Sequence, residues 1–340
     1  MAENDLTASA GLVSGLLDYA ASRGADRRTL ASQAGIDDRL LQDPDNRVPF
    51  TRYAAILRAA STLLKDPAFA LRYGEAVDMS EVSIVGLIMN ASETMAEAFG
   101  QLQRFGRLAL EVEGAGERFG TVFKDGHLWI VDRRLNPNSF PELSELTFAR
   151  LACGPRRFLP QSHVVEVHFT HSAPAYREEY ARVFGCAVVF DSDWNAMRMH
   201  PEAAGWRVAL QPRYVFGVLT KRADMLLRSL EESRSMRSQV ERIVLPMLHK
   251  GDLNADGVAA ALGFSRQTLF RRLKEESLTY EELVDDLRHR MAMHYLEGKR
   301  ASINEIAYLV GFSDRASFSR AFKRWTGKNP GEVRAQLLRR

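Results

Sequence analysis

The chain has 340 residues, long enough for two or three domains with proper cores, and its 46% hydrophobic and 26% charged content excludes the disordered and fibrous classes. Its N-terminus carries Glu3 and Asp5 where a signal peptide would be basic, and its longest apolar stretch, Val82 to Met89, falls far short of the roughly 20 residues that span a bilayer, so a cytoplasmic protein without a membrane partner is expected. The net charge of +3 is unevenly spread: residues 241–340 hold 18 Lys and Arg against 13 Asp and Glu, and the positive field belongs to that C-terminal part.

In chain order, Leu12, Leu16 and Tyr19 share one helical face that Gly24 would stop. Further helices are expected around Tyr53 to Leu64 and from Thr94 to Leu110. Between about 108 and 135 the pattern changes to "LALEVEG", "FGTVFKDG" and "HLWIVDRR", alternating segments separated by Gly and Asp-Gly turns, which predict strands and hairpins. "VVEVHFTH" and "CAVVF" predict two more strands, with a helix between them starting at Pro174. From Thr220 onward no segment has strand character. The expected fold class is therefore α+β, with a mixed α/β regulatory domain at 1–215, a charged helical connector at 216–237 and an all-α domain at 238–340.

Several chemistries find no support. Cys153 and Cys186 form no C-x-x-C pair and have no His at zinc spacing, which argues against a disulfide framework or structural zinc. His168 and His171 lie in an extended segment, where i and i+3 point to opposite faces, so no metal site is expected. "GAGERFG" at 114–120 departs from G-x-G-x-x-G and lies between strand-like segments, so no nucleotide site is expected. Trp129, Phe105 and Phe123 are assigned to the core. No catalytic constellation stands out, and neither an enzyme nor a cofactor is predicted.

The C-terminal part contains a repeat. "LGFSRQTLFRRLKEES" from Leu262 is followed 48 residues later by "VGFSDRASFSRAFKRWTG" from Val310. Aligning Gly263 with Gly311 also aligns Ala259 with Ala307. With one extra residue in the second copy, Leu269 and Leu273 align with Phe318 and Phe322, each pair being one i, i+4 apolar stripe. A helix with a small residue at its centre, a Gly where the backbone must turn left-handed, and a second helix make a helix-turn-helix unit. Two units are placed at about 255–276 and 303–325. Ser302 with Glu305 and Thr279 with Glu282 predict capping boxes, Asn329-Pro330 with Glu332 another helix start, and Ser313 a cap for the second helix of unit two.

The outward face decides the use. Stepping 100° per residue from Leu269 puts Gln267, Arg271 and Lys274 opposite the buried stripe, and Ala316, Arg320 and Lys323 take those places relative to Phe318. Arg and Gln can read guanine and adenine edges, while Arg266, Lys274, Lys299, Arg300, Lys323, Arg324 and Lys328 could neutralise phosphates. The predicted helix between the units, Tyr280 to Glu297, would be about 27 Å long, enough to hold two readers near one turn of DNA apart.

On these residues, "SINEIAYLVGFSDRASFSRAFKRWTGKNPGEVR" resembles the signature of the AraC/XylS family of bacterial transcription regulators, over the whole C-terminal 100 residues. The resemblance implies base contacts from Gln267, Phe270 and Arg271 in the first recognition helix and from Arg315, Ala316 and Arg320 in the second. Phe270 and Ala316 depart from the polar residues often found there and could offer only apolar contact, for instance to a thymine methyl. Residues 10–210 resemble the arabinose-binding-like effector domain of one branch of the family, on "LASQAGIDDRLLQDPDNRVPFTRY", "DPAFALRYGE" and "VEVHFTHSAPAYREEYARVFGCAVVFD". That implies a small-molecule effector of unassigned identity bound by residues the sequence does not single out. "LASQAGIDDRLL" itself mimics a third reader, but Asp37, Asp38, Asp43 and Asp45 would face phosphates, so it is assigned to packing.

The expected function is thus a transcription regulator, an activator, binding double-stranded DNA under the control of an effector, with RNA polymerase as a partner and a homodimer left open. A ligand-independent regulator controlled by abundance or a partner protein is the alternative. A repair enzyme fused to the same reader is a weaker one, because it would need reactive cysteines that two isolated thiols do not supply.

Overall fold

The computed structural model describes residues 6–113, 117–159, 161–208, 210–233, 235–251, 253–298 and 301–338. The chain divides into two compact units, Met1–Arg228 and Ser229–Arg340.

Unit 1 opens with β1 (Thr7–Ser9), α1 (Ala10–Ser22) and α2 (Arg27–Gln33), and continues through β2 (Arg47–Pro49), α3 (Phe50–Leu63), α4 (Phe69–Ala76), α5 (Met79–Val82), α6 (Ile84–Ala91) and α7 (Met95–Ala109). Ser9 caps α1 by accepting from the Leu12 amide, and Gly24, at φ +103°, follows its end. β1 and β2 form a separate antiparallel pair. After α2, Gly35 turns left-handed into a five-residue 3-10 segment, Asp38–Gln42, too short to act as a recognition helix.

A five-stranded sheet forms the second half, from β3 (Phe119–Lys124), β4 (His127–Asp132), β5 (Val164–His168), β6 (Ala187–Val189) and β7 (Asn195–Met199), in the order β3-β4-β7-β5-β6. Only β5 and β6 run parallel, joined by α9 (Arg177–Phe184) as the crossover that a parallel pair needs. α8 (Pro141–Cys153) packs against α4, and Gly74 permits it: a Cβ there would lie 2.3 Å from the Leu146 carbonyl oxygen. Tyr53, Phe69, Tyr73, Phe105, Phe148, Phe169, Tyr180 and Phe184 are large, fully buried side chains of this core. α10 (Arg213–Ser233) carries the chain across the division between the units.

Three local expectations fail here. "LALEVEG" is not a strand: α7 continues to Ala109 and only Leu110 makes an isolated bridge, to Ala8, because the apolar 105, 108 and 109 positions complete a helical face. The helix after Pro174 starts three residues later, at Arg177, whose amide donates to the Pro174 carbonyl in a turn. Phe123 is no core residue; it is 75% exposed next to the Asp125-Gly126 turn, whereas Phe105 and Trp129 are buried. Gly114, Ala115 and Gly116 of "GAGERFG" lie outside the described residues.

Among its described residues the regular structure of unit 2 is helical, with no strand: α11 (Met236–Val244), α12 (Ala255–Ala261), α13 (Arg266–Glu275), α14 (Tyr280–Glu297), α15 (Ile303–Leu309), α16 (Arg315–Thr326) and α17 (Pro330–Leu338). Leu269, Leu273, Phe318 and Phe322 are fully buried with Ile306, Ala307, Ala259 and Leu287 in one core. Each large apolar side chain so buried contributes roughly 1.5–3 kcal/mol.

Candidate nucleic-acid interface and effector cavity

The two repeats fold alike at their turns. Phe264 donates to the Ala259 carbonyl at 2.8 Å and Phe312 to the Ala307 carbonyl at 2.9 Å; Gly263 and Gly311 close the inner bonds at 3.0 Å each. Both glycines are left-handed, at φ +71° and +81°, which ends one helix and redirects the chain into the next. Ser265 caps α13 through the Thr268 amide. In the second unit the cap is Asp314, which accepts from the Ser317 amide, and Ser313 is the extra turn residue. An ionised carboxylate is the stronger acceptor at a helix start, and this bond holds the Asp314 carboxyl below its usual range. The capping boxes Thr279–Glu282 and Ser302–Glu305 are both complete.

Past these turns, α13 presents Arg266, Gln267, Arg271 and Lys274 to solvent, and α16 presents Arg315, Ala316, Arg320, Lys323 and Arg324, with Lys328 just beyond. Phe270 is placed differently: half-buried, it packs on the core edge-on to Tyr280, with the Arg266 guanidinium 5.2 Å above its ring. Several cations already hold partners. Arg266 pairs with Asp256 at 3.1 Å, Arg271 with Glu275 at 2.9 Å, and Arg324 with Asp285 of α14. Arg320 donates to Ser317 at 2.9 Å and Lys328 to Gln336 at 3.2 Å. Lys299 and Arg300 lie outside the described residues.

Two arginines escaped the sequence reading. Arg272 lies 4.2 Å above the ring of Phe264, and Arg288 of α14 lies 5.0 Å above that of Phe312, so each turn phenylalanine is covered by a guanidinium. Burial pushes the Arg288 pKa down. Spacing gives no signal for the pair, since one cover comes from the same unit and the other from the helix between units.

Unit 1 encloses a cavity of about 250 Å³ bounded by α7, strands β3, β4 and β7, and residues around Pro155 and Ala203. Met89, Met95, Phe99, Phe158, Met197 and Met199 are among the side chains that line it, and among the described residues no Asp, Glu, Lys or Arg does.

The family described as the arabinose-binding domain of AraC transcription regulators, N-terminal, matches residues 24–208, and a helix-turn-helix domain family matches residues 258–336. The ornithine utilization regulator of Pseudomonas aeruginosa is 28% identical over 327 residues, 94% of each chain. The HTH-type transcriptional regulator VirS of Mycobacterium tuberculosis is 24% identical over 331 residues, again 94% of each. The crystal structure of the transcriptional regulator CdpR from Pseudomonas aeruginosa covers 91% of this chain and 96% of its own, at 21% identity and a TM-score of 0.42.

Proposed function

Because the chain belongs to the AraC family of DNA-binding transcription regulators, we propose that it is an effector-controlled activator that reads its operator with α13 and α16. The observation that carries the reading of the operator is the pair of matched turns, each delivering a helix whose exposed face is basic. Gln267, Arg271, Arg315 and Arg320 read base edges, Ala316 offers a thymine methyl an apolar contact, and Phe270 contributes its exposed flank. Arg266, Lys274, Lys323, Arg324 and Lys328 hold phosphates, as do Lys299 and Arg300, and the pairs Arg266–Asp256, Arg271–Glu275 and Arg324–Asp285 exchange their carboxylates for DNA on binding.

Effector control is supported by the cavity. A fully packed N-terminal unit would have favoured the ligand-independent reading. An effector acts by binding one of two states of the chain more tightly and so shifting their balance. A homodimer is supported by Tyr214, Val218 and Met225, exposed apolar side chains on one face of α10. Activation then proceeds through contact with RNA polymerase.

The test is binding of the purified chain to its own upstream intergenic DNA against an unrelated fragment, at two salt concentrations, with and without a cell metabolite extract. Specific binding altered by the extract is expected. Specific binding indifferent to the extract at the DNA and in transcription would leave a ligand-independent regulator, and no preference over unrelated DNA would refute the assignment of α13 and α16 at this operator.

A further inference from the structure

Given effector control through the cavity, its walls restrict what the effector can be. At about 250 Å³ it exceeds the engineered apolar cavity of about 150 Å³ that takes benzene. Four methionines line it, and their unbranched thioethers fill irregular space around apolar ligands of varied outline. A charged ligand would be buried without a counter-ion, because the lining has no ionised side chain among the described residues. A sugar fares little better, because each hydroxyl left without a partner bears the full cost of leaving water. Among the described residues the lining offers only Asn90, Gln103, Thr121 and His163 as polar side chains, and Gln103 already donates to the Phe119 carbonyl at 3.2 Å.

His163 is the group that is not at rest. It is 2% exposed, and its Nε2 lies 3.0 Å from the Leu151 carbonyl oxygen. A carbonyl only accepts, so Nε2 carries the proton and Nδ1 is a bare acceptor; Nδ1 is buried and has no partner among the described residues. Burial pushes the imidazole pKa down to about 4, so this tautomer persists at neutral pH. His163 is among the residues that line the cavity, but Nδ1 has almost no surface open to it, so a ligand hydroxyl can serve as its donor once the ring or its neighbours shift to admit it.

We propose that the effector is an uncharged, mainly apolar molecule of one or two rings, or a chain of similar bulk, that seats a single hydroxyl on His163 Nδ1. Carboxylates are excluded because they would set an acceptor against an acceptor. The way in lies along exposed Ala96, Gly100 and Ala204. Gly100 sits inside α7, where glycine is destabilising relative to alanine, although a Cβ there would meet nothing within 4 Å. No packing demand explains that glycine, whereas an entrance kept low does.

The experiment compares 1-naphthol, naphthalene and 1-naphthoate as probes on the full chain by calorimetry, and in parallel measures operator binding and reporter transcription with the organic and aqueous phases of a partitioned metabolite extract. Naphthol should bind roughly 3- to 10-fold more tightly than naphthalene, the worth of one hydrogen bond, and naphthoate most weakly. His163→Phe should erase the naphthol preference while keeping naphthalene binding. Gly100→Phe, at the exposed rim, should weaken both and provides a variant that leaves the buried wall intact. The organic phase alone should change operator binding or transcription. Activity confined to the aqueous phase, or naphthoate binding best, overturns this effector class and leaves effector control standing. If neither phase changes operator binding or transcription, effector control itself fails, whatever the probes do.

Discussion

Gly263 and Gly311 occupy the same place in the two units, yet alanine should cost far more at the second. Both have positive φ, +71° and +81°, and forcing an L-residue left-handed costs about 1–2 kcal/mol, partly offset by about 0.4–1 kcal/mol from the stiffer unfolded chain. At Gly263 a Cβ meets nothing within 4 Å, so Gly263→Ala should lose about 0.5–1.5 kcal/mol. At Gly311 it would lie 2.2 Å from the Leu248 carbonyl oxygen, which cannot swing aside as a side chain would. Displacing that backbone adds roughly 1–3 kcal/mol, for a total near 2–4 kcal/mol. Urea titration of the full chain, followed by hydrogen exchange of peptides from 302–326, separates the two. Equal losses, or a larger loss at Gly263, would refute the view that the second turn is clamped and the first free.

Arg320→Ala should cost roughly 1–3 kcal/mol of specific operator binding if it makes a bidentate base contact, whereas Lys323→Ala should weaken specific and random DNA alike and lower the salt slope by about one; electrophoretic titration at several salt concentrations distinguishes them. Ser302→Ala should cost about 0.5–2 kcal/mol, seen as faster exchange at the start of α15, since it removes the acceptor for the Glu305 amide. Burial raises the Glu145 carboxyl to about 7 despite hydrogen bonds from Tyr176 and Tyr180. Its folded pKa exceeds the unfolded value near 4.5, so the folded state holds the extra proton and stability falls as pH rises from about 4.5 to 7, by about 3 kcal/mol. Glu145→Gln should lose that slope, and parallel pH profiles of wild type and variant in chemical unfolding would contradict it.

The helix-turn-helix units were legible because their signals are local. Ala259 and Ala307, two left-handed glycines, the i, i+4 stripes and the capping boxes all act within a few residues of one another. The errors arose where short patterns fit two structures. "LALEVEG" alternates like a strand, yet Leu108 and Ala109 also extend the face that buries Phe105, and the long helix already under way prevails. Ser313 and Asp314 are both good caps, and only the one-residue insertion in the turn decides between them. The cavity was invisible for a different reason. Met89, Phe158 and Met197 are far apart in sequence, and a methionine that lines a void looks the same in sequence as one that fills a core.

The asymmetry between the units follows from what surrounds them. Unit two is tied into the rest of its domain: Gly311 lies against Leu248 and Gly251, Arg324 and Trp325 both donate to Asp285, and Arg288 covers Phe312. The first helix-turn-helix unit is tied outside itself along α13 and at its end, where Phe270 meets Tyr280 and Glu276 accepts from the Met236 and Arg237 amides, but its turn is held locally: a Cβ at Gly263 meets nothing within 4 Å, and the cover of Phe264 is Arg272 of the same unit. A helix fixed both at its leading turn and along its length meets DNA in one orientation, so an error at a base edge is felt in full; a helix whose leading turn is free can adjust its docking. Base substitutions in the half-site read by α16 should therefore cost more than those read by α13. Saturation mutagenesis of the operator measures both halves in one experiment, and equal penalties would show that the ties to α14 do not stiffen the reader.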